Sequence, residues 1–514
     1  MNINAEPKAS RQMPNVIDKV VRYFNPQAAL RREQARVAMD YISNTRRFDG
    51  ASNTSRFEQW RRPGTDANSS ILPSLPRLRN AARDLTRNNP WAENATRVII
   101  NNTVGAGITG TVALPVENVN RQKNLQNLWW NWAETTEIDA SGQLDLAGLL
   151  ALAMTTIVES GEVIIRRRYR RASAGLTIPV QIQVLEPDYL DETKDGDLGT
   201  GGYIRGGIEY SPRGEITHYW LREIHPGDQG GMWSSITSFR IRASEIIHAF
   251  DPKRAGQGRG YPWCAAAIRR LKDFDDYEDA QLTRQKLAAC FVGMIHDMAT
   301  PAGATGLEKT GPTEDQKDYF QPGMMELLPP GKDIKFSSPP GVTNYKEYGV
   351  FNLRGAAAAF GITYEAMTGD YSNVNYSSSR MGWLEMNRNF SRWQHTILRV
   401  QILNRIGAWF FGGLTISGID SQGAFMKWTP PKREMMDPTK EVPAAIKAIR
   451  GGLTSMERYH SSMGNDFTEV MTEIEASNKV LDAKKIILDT DPRNVNMSGG
   501  LNEPADDEPP PQTA

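Results

Sequence analysis

Residues 263–292 read WCAAAIRRLKDFDDYEDAQLTRQKLAACFV, the longest uninterrupted helical pattern up to this point of the chain. The pattern is amphipathic and heavily charged, as expected of a helix that buries only one face. A compact excursion follows over residues 294–343, with strand-like runs, a Gly/Pro loop and a capping box at 313–316. A second helical pattern, KEYGVFNLRGAAAAFG, then starts at residue 346. We therefore predict two helices that carry a small module at their far end.

The returning helix leads into GITYEAMTGDYSNVNYSSSRMGWLEMNRNF, residues 361–390. Gly, Asp, Ser, Asn and Tyr dominate the middle of this stretch, which indicates a loop between two helices. The second helix is predicted to be long, because apolar residues recur at alternating intervals of three and four. These residues are Trp383, Met386, Phe390, Trp393, Ile397, Val400, Leu403 and Ile406. Further downstream, short helices with capping boxes are predicted to begin at Thr454 and Asp466.

Helical patterns also dominate the chain before residue 162. They cover residues 14–48, residues 76–104 with an interruption at Asn89-Pro90, and residues 121–160. Residues 50–75 are polar and rich in Ser, Asn and Gly, which predicts an extended arm or loop. GAGITGTVALP, residues 105–115, predicts a turn followed by a strand.

A β-rich block follows these helices. EVIIRRRYRR and LTIPVQIQVLEP predict one hairpin, over residues 162–187. GGIEYSPRGEITHYWLREI predicts a second hairpin over residues 206–224, with its turn at 211–214. SEIIHAF, from residue 244, predicts one more short strand. The predicted fold class is therefore α+β and predominantly helical.

Composition limits the functional classes. The 514 residues carry 60 Lys and Arg against 60 Asp and Glu, so the whole chain is not an obvious binder of polyanions. Residues 1–100 hold 17 basic against 9 acidic residues, which leaves open a nucleic-acid, solvent-exposed or intersubunit role. Cys264 and Cys290 lie too far apart along one predicted helix to form a disulfide, which favours a reducing compartment. No signal peptide or membrane-spanning run is recognisable.

Motifs for chemistry are sparse. GAGITG, residues 105–110, matches the nucleotide-binding pattern G-x-G-x-x-G. A phosphate site of this type needs a helix N-terminus after the glycines, but a strand-like run follows here. We therefore interpret the segment as a turn. The six histidines lack metal-ligand spacing, and the acidic residues between 273 and 279 spread around a helix. We predict no catalytic residue, no metal site and no cofactor. A Ser-His-Asp site stays open, because its members need not be neighbours in sequence.

Three segments carry a resemblance to a known family. They are RDLTRNNPWAENATRVIINNTVGAGI from residue 83, ASEIIHAFDPKRAGQGRGYPWCAAAIRRLKDFDDYEDAQLTRQKLAA from residue 243, and AAAAFGITYEAMTGDYSNVNYSSSRMGWLEMNR from residue 356. By these segments, in this order, the chain resembles the lambda-type portal proteins of tailed bacteriophages over roughly residues 35–480. The resemblance implies a ring, normally of twelve copies, at one capsid vertex, with DNA passing through its central channel.

The resemblance also implies a portal fold with a β-containing wing, a two-helix stem, a small α/β clip and a helical crown. The implied segments, in chain order, are an N-terminal arm or helix (1–34), the wing (35–258), stem helix 1 (259–293), the clip (294–343), stem helix 2 (344–362), a tunnel loop (363–380), a long helix with a return to the wing (381–430), crown helices (431–490) and a disordered, acidic, Pro-rich tail (491–514).

Three groups of residues would meet partners in such a ring. The tunnel loop would touch DNA phosphates with short polar groups and aromatic faces, without reading bases. Its residues are Tyr371, Ser372, Asn373, Asn375, Tyr376 and Arg380. The clip would dock other proteins through exposed charges on a rigid stalk, namely Glu308, Lys309, Glu314, Asp315 and Lys317. The stem would face the channel with Asp273, Asp276 and Arg284.

The implied partners are other copies of the chain, the large terminase subunit, a head–tail adaptor or head-completion protein, the major capsid and scaffolding proteins, and double-stranded DNA bound without sequence preference. No membrane partner is expected. The implied location is the portal vertex of the virion, after assembly in the host bacterial cytoplasm. Two other classes stay open: a capsid-associated protease or nuclease that uses the Asp/Ser-rich loop, and a monomeric nucleic-acid-binding module that uses the basic N-terminal region.

Overall fold

The computed structural model describes residues 64–115, 118–228, 237–289, 293–297, 332–336, 345–431 and 437–486, with single positions at 27, 34, 35, 435, 488 and 493. The chain divides into two units, Met1–Thr65 and Asp66–Ala514, and the elements below belong to the second. Within these ranges no helix combines the length and the apolar character that a bilayer span requires.

The second unit opens with three helices, α1 (Ala67–Ile71), α2 (Leu75–Asn88) and α3 (Pro90–Thr103). The predicted break at Asn89-Pro90 is confirmed: the Asn89 side chain accepts hydrogen bonds from the N–H groups of Trp91 and Ala92, and so caps α3. The prediction of a loop over residues 50–75 is wrong for α1. There the Asp66 carboxylate accepts from two N–H groups of the first turn, which is enough to start a short helix.

Two further helices, α4 (Val119–Ala133) and α5 (Leu146–Ser160), confirm the predicted helical region around residues 121–160. Between α3 and α4 the GAGITG segment forms the predicted turn, with positive φ at Gly105 and Gly107, and leads into strand β1 (Thr109–Ala113). In α4, Trp129 packs edge-on against Phe410 with ring centres 5.0 Å apart. These aromatic rings lie in the main core of the molecule.

The β-rich block forms two antiparallel sheets. One has the order β3-β2-β9, and the other has five strands in sequence order, β4 to β8. Both predicted hairpins and the strand from residue 244 are confirmed. The strands are β2 (Glu162–Tyr169), β3 (Val180–Leu185), β4 (Gly196–Asp197), β5 (Tyr203–Arg205), β6 (Ile208–Tyr210), β7 (Ile216–Arg222), β8 (Ser238–Arg242) and β9 (Ile246–Phe250).

Strand β2 lies between two cores. Its alternating side chains place Ile165 in the main core, with the helices, and Ile164 in a second core shared with the five-stranded sheet. From that sheet, Ile208, Tyr219 and Leu221 reach the second core. The β-rich block is therefore a two-layer arrangement, and its three-stranded sheet packs against the helical body on one face and against the five-stranded sheet on the other.

The two predicted helices around the small module are α6 (Ile268–Ala289) and α7 (Tyr345–Phe360). They pack through aromatic rings, with Tyr277 4.6 Å from Tyr348 between ring centres. The predicted helix over 263–292 begins later than expected, because Trp263–Ala266 forms a 3-10 turn that contains Cys264. Of the module, the described residues include one antiparallel pair, β10 (Gly293–Asp297) and β11 (Lys332–Phe336). The capping box at 313–316 and Cys290 lie outside the described residues.

Glycine allows the segment before α6 to meet the end of α5. Gly161 ends α5 with φ +92°, and a Cβ atom there would lie 2.1 Å from the Tyr261 carbonyl carbon. A Cβ atom on Gly260 would lie 2.1 Å from the Gly161 carbonyl oxygen. The two backbones therefore touch directly, and any side chain at either position would push them apart.

A continuous helix then runs from residue 376 to 416. It consists of α9 (Tyr376–Trp393), a π-helical segment (Gln394–Leu403) and α10 (Asn404–Ile416), and strand β12 (Phe425–Thr429) follows and pairs with β1. The prediction of a long helix is confirmed, but Val400, assigned to its apolar stripe, is 48% exposed. The wider π turns rotate Val400 out of the stripe and bury Leu398 and Ile402 instead.

The last described helices are α11 (Pro438–Arg450), α12 (Met456–Ser462) and α13 (Phe467–Lys484). The predicted cap at Asp466 is confirmed, since its carboxylate accepts from two N–H groups of the first turn of α13. The other predicted cap shifts by one residue, because Ser455, not Thr454, accepts from the Arg458 N–H. None of the three helices contains a buried residue.

Candidate nucleic-acid interface

The predicted DNA-facing segment is rooted at the end of α7. Gly361 adopts φ +77°, and its carbonyl accepts a hydrogen bond from the Asn389 side chain at 2.9 Å. Thr363 then caps a short helix, α8 (Tyr364–Thr368). The Asn94 side chain, from α3, donates to the Met367 carbonyl at 2.7 Å. The N-terminal side of the segment is therefore fixed to the helical body by two side-chain amides.

The loop proper is residues 369–375, shorter than the predicted 363–380. Asp370 accepts hydrogen bonds from the Ser372 hydroxyl at 2.6 Å and the Tyr364 hydroxyl at 3.3 Å. Asn375 ends the loop, because its side chain and that of Ser378 cap each other's backbone N–H groups. Tyr376 and Arg380 consequently lie on the first turns of α9, and their assignment to a loop is wrong. The serine-rich sequence concealed a helix start.

The hydrogen bond from the Ser372 side chain is the main reason that the pKa of Asp370 is lowered from its ordinary value. The Asp370 carboxylate is consequently ionised at neutral pH and cannot donate a proton there. A general acid needs a pKa near the working pH. Asp370 therefore does not have the pKa of a general acid at neutral pH.

The surface presented by this loop and the start of α9 is polar with large exposed side chains. Tyr371 is 60% exposed and Met381 is 74% exposed. The other predicted DNA-facing residues are also exposed, namely Ser372, Asn373, Asn375, Tyr376 and Arg380. The structure therefore brings all six predicted residues of this group to one continuous solvent-facing segment.

Helix α11 lies beside this segment. The Lys440 ammonium lies 5.8 Å from the centre of the Tyr376 ring and 2.8 Å from the Asp437 carboxylate. The hydrogen bond from Lys440 is the main reason that the pKa of Asp437 falls to about 2. Positive and negative charges therefore alternate around the exposed tyrosine, so the patch has no strong net charge.

The predicted stem residues occupy α6. Asp273 pairs with Arg269 at 3.6 Å and Asp276 pairs with Lys272 at 2.9 Å, all four being exposed. Arg284, the third predicted residue, is half-buried. The acidic residues do not converge, and Asp273 and Asp276 each have a basic neighbour one turn away.

The other acids of this helix hold the protein together. The Asp275 carboxylate accepts from the Asn89 side chain at 2.6 Å, at the junction of α2 and α3. Glu278 accepts from the Tyr345 hydroxyl at 3.1 Å, at the start of α7. The predicted clip residues, Glu308, Lys309, Glu314, Asp315 and Lys317, lie outside the described residues.

A buried ionic network fixes the segment that precedes α6. The Arg259 guanidinium donates to the Glu162 carboxylate, to Glu192 at 3.0 Å and to the Gly206 carbonyl at 3.1 Å. His248 lies 2.8 Å from Glu162. No sequence pattern indicates this network, because its members come from separate segments of the chain.

Helix α2 extends the same network. The Arg79 guanidinium is buried and pairs with Glu192, while Arg83 pairs with Asp188. Two of the N-terminal arginines considered for nucleic-acid contact are therefore engaged within the subunit. Within the described residues, this network joins α2, both sheets and the segment before α6.

Comparison with known families distinguishes between the classes that the sequence left open. A family model described as phage portal protein, lambda family, matches residues 53–394. The chain belongs to this family. Portal proteins are structural components of phage heads and not enzymes, so the protease or nuclease alternative falls away.

The relatives of this portal protein include the probable portal protein of Halomonas phage phiHAP-1, 25% identical, with 84% of this chain and 86% of that protein covered. Portal protein B of Escherichia phage lambda is 20% identical, with 82% and 87% covered. Among solved structures, the comparison matches a chain from the neck of a native GTA particle computed with C12 symmetry. The two chains are 17% identical, the match covers 75% of this chain and 93% of the other, and the TM-score is 0.43.

One group of ligand-type side chains in this portal protein was not expected from sequence spacing. Glu186, Asp188 and His225 lie close enough together to hold a cation. However, the Arg83 guanidinium already pairs with both carboxylates, at 3.0 Å from Glu186. A guanidinium at this position repels a metal ion, so we interpret the cluster as part of the salt-bridge network.

Proposed function

We propose that twelve copies of this chain form a ring at one capsid vertex, through whose channel double-stranded DNA is packaged and ejected. The match to the lambda portal family over residues 53–394 carries this proposal. The matched range includes α6, α7 and the loop at 369–375. The ring would be located at the portal vertex of the virion, after assembly in the host cytoplasm.

The C-terminal helices support the formation of a ring. Helices α11 to α13 bury no residue, and their apolar side chains include Leu453, which is 83% exposed, at the turn before α12. Along α13, Ile474 and Val480 are also exposed. Apolar side chains in this number favour a partner surface over water. A neighbouring copy of the same helices would cover them.

The loop at 369–375 and the start of α9 support contact with moving DNA. Double-stranded DNA is held tightly when many Lys and Arg neutralise its phosphates, and such binding is strongly salt-dependent. Here Arg380 and Lys440 lie among Asp370, Asp437 and exposed hydroxyl and amide groups. This surface would touch phosphates weakly and let the duplex slide.

The stem supports the same interpretation. The pairs Arg269–Asp273 and Lys272–Asp276 leave an exposed surface of balanced charge on α6. A wall with Asp273, Asp276 and Arg284 toward the channel would neither trap nor strongly repel DNA. We propose this orientation of the stem for the assembled ring.

The clip, residues 294–343, is proposed as the docking site for the large terminase subunit and later for the head–tail adaptor. The wing and crown would meet the major capsid and scaffolding proteins. Charge reversal at Lys309 and Lys317 is expected to weaken terminase binding while rings still form. Normal terminase binding by this double variant would remove the clip from the docking site.

Electron microscopy of the purified protein, combined with light scattering, tests the proposed ring. Twelve copies of the 57.4-kDa chain weigh about 690 kDa. We expect twelve-fold rings with a central hole at this mass. A monomer that binds DNA at low salt would instead support the remaining alternative, a nucleic-acid-binding module.

A further inference from the structure

A cleft opens between the two sheets of the wing. On β2, Arg166 and Arg168 follow Ile164 on the same face, because alternate residues of a strand share a face. Ile164 lies in the second core, whereas the two arginines lie where the sheets separate. Arg222, at the end of β7, lines the opposite side. The cleft has a volume of about 190 Å³ and narrows toward the apolar side chains of the second core.

The positive charge in this cleft is only partly balanced. Arg222 donates to Asp191 at 2.9 Å, and Arg168 donates to the neutral Gln183 side chain at 2.8 Å. Arg166 makes no hydrogen bond or ion pair within the part of the chain that the structure describes, and its Nε atom is buried. Glu223 also lines the cleft, so one carboxylate faces the arginines.

Arg166 and Arg168 repel each other. Burial, followed by the neighbouring Arg168 charge, lowers the pKa of Arg166, and Glu245 opposes this only in part. Burial and Arg170 lower the pKa of Arg168 in the same way, against the opposing charge of Glu223. A carboxylate entering the cleft would relieve this repulsion, and a guanidinium can hold it through two parallel hydrogen bonds.

We propose that this cleft binds acidic side chains from the C-terminal segment of this chain, LNEPADDEPPPQTA, residues 501–514. The segment has four carboxylates, at Glu503, Asp506, Asp507 and Glu508, and no Lys or Arg. Its prolines favour an extended backbone, so little conformational entropy is lost on binding. The 14 residues between Ile486 and Leu501 span up to about 50 Å when extended, so the segment can reach a distant surface.

The dimensions of the cleft favour a peptide over a duplex. A ligand must enter the cleft to reach the buried Nε atom of Arg166. A volume of about 190 Å³ holds one or two side chains. Duplex DNA is a rigid rod with grooves about 6 to 12 Å wide. Because it is rigid, it contacts open surfaces better than it enters a cleft of this size.

Fluorescence polarisation tests the proposal with the full-length protein. The receptor carries E503Q, D506N, D507N and E508Q, so that its own segment does not compete. The probe is a labelled peptide of residues 501–514. We expect saturable binding that weakens as salt is raised, and at least a tenfold loss when the four peptide acids are replaced by amides. That comparison requires no change in the cleft.

Variants of the receptor locate the site. R166Q/R168Q is expected to lose at least tenfold in peptide affinity, while R213Q, in the exposed turn between β6 and β7, is unchanged. Circular dichroism confirms that each variant is folded. Equal binding of the acidic and amide peptides overturns the proposal, and so does unchanged binding by R166Q/R168Q. Binding of a short duplex that requires Arg166 and Arg168, without peptide binding, assigns the cleft to DNA and also overturns it.

Discussion

The Arg259 guanidinium and the Glu162 carboxylate form a closed ion pair inside the protein, with Nε–Oε distances of 2.9 and 3.1 Å and an Nη2–Oε1 distance of 2.6 Å. Arg259 is 1% exposed and Glu162 is 0% exposed. Because Arg259 precedes α6 and Glu162 begins β2, the pair joins the segment before α6 to the three-stranded sheet. A single break in this pair leaves a charge buried without its partner.

Replacing Arg259 with Met is expected to lower the free energy of unfolding by about 3–5 kcal/mol, since the buried Glu162 carboxylate would lose its guanidinium partner and keep only the contacts with His248 and the Gly260 N–H. The double variant E162Q/R259M should recover part of this loss, because no buried carboxylate remains. Urea denaturation followed by tryptophan fluorescence measures both values. Arg213→Met, at an exposed turn, is the matched control and should shift the midpoint little. A single variant as stable as the control would contradict the role assigned to the pair.

The same ion pair predicts acid sensitivity. Burial alone would raise the pKa of Glu162, but the Arg259 charge and the hydrogen bonds from His248 and Arg259 outweigh it and hold the pKa far below its ordinary value. A lowered pKa contributes stability above the unfolded-state value of about 4.3, and this contribution is lost as pH falls below it. Asp188 and Asp191 act in the same direction. Burial raises the pKa of Glu159, which acts in the opposite direction.

Urea midpoints measured between pH 7 and pH 3 test this expectation. The wild-type protein should lose up to about 1.4 kcal/mol of stability per pH unit through Glu162 below pH 4. E162Q/R259M lacks the titrating group and should show a shallower decline. Parallel curves for the two proteins would show that Glu162 titrates alike in the folded and unfolded states.

Local patterns predicted most of the elements but not this network. Asn89-Pro90 predicts a helix break, and the alternation in EVIIRRRYRR predicts β2. Both predictions are possible because each pattern lies within a few consecutive residues. Glu162, Glu192, His248 and Arg259 meet only after the sheets have paired. The π-helical segment was also missed, since a stripe spaced by three and four fits an α-helix as well. The exposure of the tunnel-loop residues followed from their polarity, whereas the capping by Asn375 and Ser378 did not.

The loop is expected to act mechanically. Deleting residues 371–374 removes Tyr371 while keeping the Asn375 and Ser378 cap of α9, so rings should still form. Packaging or retention of DNA should fall, because the constriction would be wider. Particle assembly and DNA content, measured by electron microscopy and nuclease protection, report the two effects separately. Asp370→Asn is the control and should package normally. Full-length packaging by the deletion variant would show that the loop does not touch DNA.

Cys264 is expected to be unreactive in the folded protein. The residue is buried in the 3-10 turn before α6, and burial raises its pKa to about 12. The thiolate is the reactive form, so little is present at neutral pH. In a C290S variant, a thiol reagent such as DTNB should label Cys264 only on unfolding, and reducing agent should leave rings intact. Fast labelling under native conditions would mean that this turn opens readily.

The π-helical segment at 394–403 gives the long helix a place where its length can change. Each π turn holds roughly 4.4 residues against 3.6 in an α turn, so the segment holds more residues than an α-helix with the same number of turns. Loss of one residue there can be absorbed by a return to α geometry, with Trp393 and Ile406 still facing the core. The same loss within α10 would rotate the residues beyond it by about 100° and turn Phe410 away from Trp129. Insertions and deletions between residues 376 and 416 are therefore expected to cluster in this segment.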